Sequence, residues 1–188
     1  MMEFVYAYAY FVLYAFLGWV CEDLYCGIPA KKFINRGFFY GPYCPIYGVG
    51  ALLVLYPLLF VKDYPILVFV LGVIITSALE YITSWVMDIL FKTRWWDYSE
   101  RFMNINGRVC LLNSTLFGIM SIVVVYIIHP VIQDIVMDIP FTALMSFLSA
   151  FTIGFGIDCV FTVLALLRRK QVFQKVQVQM EAFKKDFE

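Results

Sequence analysis

The sequence predicts an all-α, polytopic membrane protein built as a bundle of five transmembrane helices. Three observations carry that prediction. Of 188 residues, 63% are hydrophobic and 15% charged, more apolar surface than a soluble core of this size can hide. Apolar runs near the length needed to cross a bilayer recur along the chain. Thirteen of the fourteen lysines and arginines fall in alternate connections or the tail, and Lys62 alone falls on the other side. By the positive-inside rule this puts the N-terminus outside and the C-terminus in the cytoplasm.

The expected spans are residues 4–21, 45–61, 65–90, 109–128 and 141–167, within a transmembrane domain of residues 1–167. Met1-Met2-Glu3 lacks the positive n-region of a cleaved signal peptide, so the first span is expected to remain as a helix. The second span is short and follows Gly37-Phe38-Phe39-Tyr40-Gly41-Pro42-Tyr43-Cys44. That stretch is apolar enough to enter the membrane but too rich in glycine and proline for one continuous helix. Pro45 suits the first position of a helix. The preceding segment is then either re-entrant-like, irregular backbone that must be buried in protein or line a wet cavity, or a surface turn capping the helix.

Residues 130–138 place Val131, Ile132, Ile135, Val136 and Ile139 on one face, the pattern of a short helix lying on the outer interface. Residues 168–188 form a basic amphipathic tail with Phe173, Val176, Met180, Phe183 and Phe187 at 3, 4, 3, 4 spacing. It reads either as a short coiled-coil seam or as a helix resting on anionic lipid. The first two and the next two spans make hairpins of the same orientation. Asn35-Arg36-Gly37 and Asn106-Gly107-Arg108 precede Cys44 and Cys110, which is compatible with an internal repeat.

Zero net charge argues against a nucleic-acid partner. Five cysteines without a CxxC pair argue against a disulfide framework. The single histidine, His129, is expected outside and away from the acids, which leaves neither a histidine metal cluster nor a Ser-His-Asp triad. No GxxxxGK[ST] phosphate loop occurs. No cofactor is evident. Oxygen-only Mg²⁺ binding by Glu22, Glu80, Asp88 or Asp158 is compatible with the residue types but has no diagnostic spacing. Asn113-Ser114-Thr115 matches a glycosylation sequon on the wrong face of the membrane to be used.

The candidate functional residues follow from helix periodicity. Gly72, Thr76, Glu80, Ser84 and Asp88 recur at i, i+4 in the third span, and Ser146, Ala150, Gly154, Asp158 and Thr162 in the fifth; Gly18 and Glu22 close the first. Small residues at this spacing let helices approach closely. The carboxylates need another explanation, because a carboxyl in hydrocarbon costs about 2.5–3.5 kcal/mol on insertion scales and must face the interior, paired or protonated. Glu80 is the leading candidate and Asp158 is expected at comparable depth, with Glu22 and Asp88 nearer the interface. Arg36, Arg94, Arg101 and Arg108 lie on the basic side, with Asp97 inside Arg94-Trp95-Trp96-Asp97-Tyr98-Ser99. These residues form either an interfacial aromatic belt with ion pairs or the rim of a cytoplasm-facing cavity. In the second case the arginines hold an anionic group and Tyr43 and Tyr47 join the lining.

Gly18-Trp19 with Glu22, Asn35-Arg36-Gly37-Phe38, Gly41-Pro42, Cys44-Pro45-Ile46-Tyr47-Gly48, Leu79-Glu80-Tyr81, Arg94 to Ser99, Asn104, Gly107-Arg108 and Cys110 together resemble the type IV ABC-transporter permease family of small bacterial membrane proteins. The likeness runs from about Gly18 to Gly118. It implies a permease-like transport component of the bacterial inner membrane, working with a separate ATPase subunit or by self-association. Among the matched positions are Glu22, Arg36, Glu80, Arg94, Asp97 and Arg108. Asp158 lies beyond that stretch. Two other functions are open on the residues alone. One is an embedded enzyme or binder acting on an anionic lipid headgroup, and the other is a structural or regulatory membrane protein.

Overall fold

The computed structural model describes residues 2–31 and 38–185, with side chains through Arg168 apart from those of residues 25, 26, 29 and 30. Arg36 and the tail side chains Phe173, Val176, Met180, Phe183 and Phe187 therefore lie outside the described residues. The chain is an all-α polytopic membrane protein. Its elements are α1 (Met2–Ala30), α2 (Pro45–Leu58, continued by a 3₁₀ turn Leu59–Val61), α3 (Pro65–Phe91), a two-residue ladder β1 (Asn104–Ile105) and β2 (Val109–Cys110), α4 (Leu111–Val123), α5 (His129–Asp138) and α6 (Phe141–Lys185). Among the described residues four stretches are long and apolar enough to cross a membrane: Met2–Leu24, Pro65–Phe91, Leu111–Asp138 and Phe141–Arg168. The helix Pro45–Val61 is apolar but shorter.

Several boundaries differ from those the apolar runs suggest. Helix α1 continues beyond residue 21 to Ala30, and α6 passes residue 167 unbroken to Lys185. The onset of charge marks where hydrocarbon ends, whereas a helix stops only where its backbone bonding does. Residues 130–138 are not a separate interfacial helix. They continue α4 through a π-helical stretch, Val124–Ile128, in which the His129 N–H bonds the Val124 carbonyl. Pro130 has no N–H and its ring would crowd the carbonyl four residues back. The wider turn accommodates it without ending the helix. Ile132 and Val136 are consequently buried in the bundle, and His129 is buried too, 3.3 Å from the Tyr14 hydroxyl and edge-on to Tyr10.

The apolar core occupies the half of the bundle away from the basic loops. Leu58, Val68 and Val136 are fully buried there, with Ala9, Val12, Leu144 and Leu148 around them. Hydrocarbon supplies no hydrophobic drive between helices, so close packing at small residues substitutes for it. A β-carbon added at Gly72 would lie 2.6 Å from Ser121, and one at Gly48 would meet the Phe11 carbonyl. Val68, Gly72, Glu80 and Ser84 are the buried residues of α3, so its i, i+4 ridge faces the bundle. The corresponding ridge of α6 does so only at its end, where Thr162 is buried. Ser146, Ala150 and Gly154 are exposed, a β-carbon at Gly154 would meet nothing within 4 Å, and α6 packs through Leu144, Leu148, Phe151 and Phe155 instead.

The two helical hairpins α1–α2 and α3–α4 repeat one another at an offset of 66 residues. Gly18-Trp19-Val20-Cys21-Glu22 answers Ser84-Trp85-Val86-Met87-Asp88, and Cys44 answers Cys110. The packing has the same register. Phe11 meets Gly48 in the first hairpin, and at the equivalent positions Ser77 Oγ bonds Ser114 Oγ at 2.7 Å. Cys44 and Cys110 both stand in extended conformation as the residue before the return helix. In each hairpin the first helix overshoots the start of the second, and irregular chain folds back to fill the gap.

Candidate functional site

The described part of the first refolded segment starts at Phe38. Its Cys44 N–H bonds the Ala15 carbonyl at 2.9 Å, in the middle of α1. Ala15 lies about nine residues before Leu24, or about 14 Å along the helix axis. Tyr43 and Cys44 are buried at this depth, whereas Tyr40 and Pro42 are exposed. Asp158 holds the segment from the other side. Its carboxylate accepts the Gly41 N–H at 2.8 Å, the Tyr40 N–H at 3.2 Å, the Thr162 hydroxyl at 2.8 Å and the Tyr43 hydroxyl. Asp158 is thus a fully bonded latch between α6 and residues 40–43. Among the described residues its hydrogen-bond partners do not include Glu80, Arg94, Arg101 or Arg108. An open groove of about 480 Å³ runs beside it, lined by Tyr40, Ile157, Asp158, Phe161 and Arg168 among others.

The second refolded segment, residues 92–110, carries most of the long motif. Asn106 and Gly107 both have positive φ, 53° and 69°, and the Arg108 N–H bonds the Ile105 carbonyl at 3.0 Å. This is a type I′ turn, and the Asn-Gly pair is its sequence signature. The all-helical expectation missed this small ladder although the pair was in view. Trp96 Nε1 donates to the Arg108 carbonyl at 2.9 Å, and Asn104 Nδ2 to the carbonyls of Ser99 and Arg101 at 3.0 and 2.9 Å. Asp97 accepts the Ser99 hydroxyl at 2.6 Å and its N–H at 2.9 Å. Those bonds, the hydroxyl first, hold its carboxyl below the usual aspartate range.

Arg108 is buried, 8% exposed. It donates to Asp88 Oδ2 at 2.8 Å and to Ser84 Oγ at 3.1 Å, and lies 5.9 Å from the Tyr81 ring centroid. Arg94 approaches the same Asp88 at 3.8 Å and Asp97 at 4.0 Å. Asp88 is therefore ion-paired rather than simply hydrated, and these two arginines are engaged with the protein's own acids. Arg101 is exposed at the loop tip and is not brought to the acids.

Tyr98 reaches from this loop into the bundle. Its hydroxyl accepts from Asn113 Nδ2 at 2.6 Å and donates to Glu80 Oε1 at 3.1 Å. Burial, with the adjacent Glu80 carboxylate, pushes the phenol above its ordinary range, so it remains a donor at neutral pH. Asn113, which a sequon reading sets aside, is thus part of the polar network. Glu80 is 6% exposed, and its Oε2 has no hydrogen-bond partner among the described residues. Within the first hairpin, Glu22 accepts the Tyr47 hydroxyl at 2.6 Å. Beside it, Asp23 is 9% exposed and neither carboxylate oxygen has a partner among the described residues. Periodicity alone overlooked Asp23. The adjacent acid pair Glu22-Asp23 at the end of an apolar run was the available signal. Among the described residues no three His, Cys, Asp or Glu side chains converge closely enough to hold a metal ion together.

A family model described as "Putative ABC-transporter type IV" matches residues 9–163, from α1 into α6. The chain belongs to this family. The match extends well past Gly118 and takes in Asp158, which the motif likeness alone leaves outside. No curated protein and no solved structure matches the chain. Membership of an ABC-transporter-type family, together with the membrane-spanning helices, makes this a transport-related membrane protein.

Proposed function

We propose that the chain is a permease-like transport component of the bacterial inner membrane, N-terminus outside. Its working site is the polar half of the bundle, opening toward the cytoplasm between the two hairpins. The observation that carries this reading is Glu80. It is a buried carboxylate near the middle of a membrane helix, with one oxygen unpartnered among the described residues and the other tied to a loop through Tyr98. A group that only locked the bundle would have both oxygens satisfied, as the buried Arg108 has its acceptors. Type IV ABC-transporter membership supports a separate ATPase partner or self-association, since five helices enclose little space alone.

Glu80 is the proton or cation site of this reading. Proteoliposomes loaded with a pH-sensitive dye, under an imposed potassium diffusion potential, are expected to show flux that is lost in Glu80→Gln. Unchanged flux in that variant removes Glu80 from the mechanism.

The groove beside Asp158 favours a second reading, binding of an anionic lipid. Ile157 and Phe161 offer an apolar wall, and Arg168 stands at the end of the apolar run where a headgroup phosphate would lie. Retention of anionic phospholipid through purification, reduced in Arg168→Gln, is the expected result.

A further inference from the structure

Asp158 belongs to two structures at once. Its carboxylate holds residues 40–43 through the Tyr40 and Gly41 N–H groups and the Tyr43 hydroxyl, and it also lines the open groove along α6. Tyr40 has the same double place. The other lining residues, Gly154, Ile157, Phe161, Leu164, Ala165 and Arg168, recur at steps of three and four along one stripe of the helix. A β-carbon placed at Gly154 would meet nothing within 4 Å, so the floor of the groove is open there. From Gly154 to Arg168 the stripe is about 21 Å long at the helical rise. Half a bilayer, from the midplane through the headgroups, measures about 20–22 Å. The groove thus has the length of one leaflet, with an apolar floor and a cation at the end where the apolar stretch stops.

We propose that an anionic phospholipid lying in this groove, with its phosphate at Arg168, clasps residues 40–44 against α6, so that lipid composition regulates the release of that segment. The proposal rests on the lipid-binding reading of the groove and adds what the lipid does there. Helix α6 packs lightly, with 6% of its apolar stretch buried. Residues 39–43 meet it through Asp158 and through the Phe39 and Tyr43 rings, 5.2 and 5.3 Å from Phe155. An acyl chain over Gly154 and Ile157 covers the flank of that junction, where Tyr40 is exposed. It excludes the water that competes for the Tyr40 and Gly41 N–H groups, and those bonds strengthen where water is absent. A ligand that fits the latched arrangement and not the released one favours the former in proportion to its occupancy. Inorganic phosphate would meet Arg168 but leave the flank open. The second hairpin has no such dependence, because the segment before Cys110 is bonded among its own residues and to α3, and none of those residues lines the groove.

The test is the rate at which N-ethylmaleimide modifies Cys44 of the full-length protein in nanodiscs, read peptide by peptide by mass spectrometry. Cys44 is buried in the latched segment, and Cys110, buried at the equivalent place in the second hairpin, is the internal control. Nanodiscs of phosphatidylcholine alone are compared with nanodiscs that also contain phosphatidylglycerol. At twice the half-saturating anionic content, local opening and with it Cys44 modification should fall about threefold, with Cys110 unchanged. Gly154→Leu, whose side chain fills the groove, is expected to remove the lipid dependence. Asp158→Asn is expected to speed Cys44 modification in both lipids. An unchanged Cys44 rate, equal protection of Cys44 and Cys110, lipid dependence retained in Gly154→Leu, an Asp158→Asn rate equal to wild type, or the same protection from inorganic phosphate overturns the proposal. Phosphatidylglycerol retained through purification with the Cys44 rate unmoved refutes the regulation and leaves the lipid-binding reading standing, whereas no retention refutes that reading itself.

Discussion

Deleting the Tyr98 hydroxyl isolates the link between the second loop and the buried acid. Tyr98→Phe keeps the ring and its packing but removes the one oxygen that accepts from Asn113 at 2.6 Å and donates to Glu80 at 3.1 Å. Because Glu80 Oε2 has no partner, the carboxyl is then left with no hydrogen bond among the described residues. A bond to a charged acceptor contributes about 1.5–3 kcal/mol and a neutral one about 1 kcal/mol. The expected loss is therefore about 2.5–4 kcal/mol, a fall in Tm of roughly 5–16 °C for a chain of this size. Unfolding in detergent, followed through the fluorescence of the four tryptophans, measures it.

Packing damage would give a similar fall, so the decisive quantity is the coupling. Once Glu80→Leu has removed the acceptor, Tyr98→Phe costs only the Asn113 bond, about 1 kcal/mol. The double-mutant cycle should then show about 1.5–3 kcal/mol of interaction. Additivity within about 0.5 kcal/mol, or a Tyr98→Phe protein as stable as wild type, would refute the idea that Tyr98 holds Glu80.

Two further predictions separate packing from chemistry. Gly18→Ala drives a methyl into the Tyr47 ring and should destabilise by about 1–3 kcal/mol; Gly154→Ala meets open space and should be neutral or stabilising by up to about 1 kcal/mol. Parallel melts of the two variants check the contrast. The Asp97 carboxyl is held below its unfolded value, so its contribution is fully present above that value, about 3.9, and is lost as pH falls through the lower folded one. Acid titration of the Trp95 and Trp96 fluorescence should therefore show a transition below about pH 4, and Asp97→Asn should remove it.

What the sequence made legible was whatever one helix decides by itself. Pro45 and Pro65 start their helices as proline's fixed geometry suggests. The i, i+4 ridge of α3 is the buried face because every residue on it is small or must avoid lipid. Periodicity assigns residues to a common face but not the direction that face points, which the neighbouring helices set. Hence the equally regular ridge of α6 faces outward from Ser146 to Gly154. Pro130 reads locally as a break, and only the π-helical stretch before it shows how the helix continues. Partner choice was beyond reach for the same reason. Five acids and four arginines are candidates, yet nothing local tells that Arg108 takes Asp88 while Asp158 is bonded by hydroxyls and backbone.

The repeat explains why the long motif is concentrated where it is. A hairpin whose first helix overshoots the second leaves a gap, and each copy must fill it with chain whose backbone groups are satisfied. In the second copy the filling is the loop of Asp97, Ser99, Asn104, Asn106 and Gly107, where Asn106 Nδ2 reaches Tyr81 at 2.8 Å and the Gly107 N–H reaches Asn104 at 3.0 Å. Those residues hold one another and close around Arg108. In the first copy the filling is the Tyr40 to Cys44 segment, which borrows its bonds from α6 through Asp158 and from α1 through Ala15. A segment held by other elements moves when they move. The second loop is also tied to α3 and α4, through Arg108, Asn106 and Tyr98. The borrowed one, tied to α6 and α1, shifts with those helices.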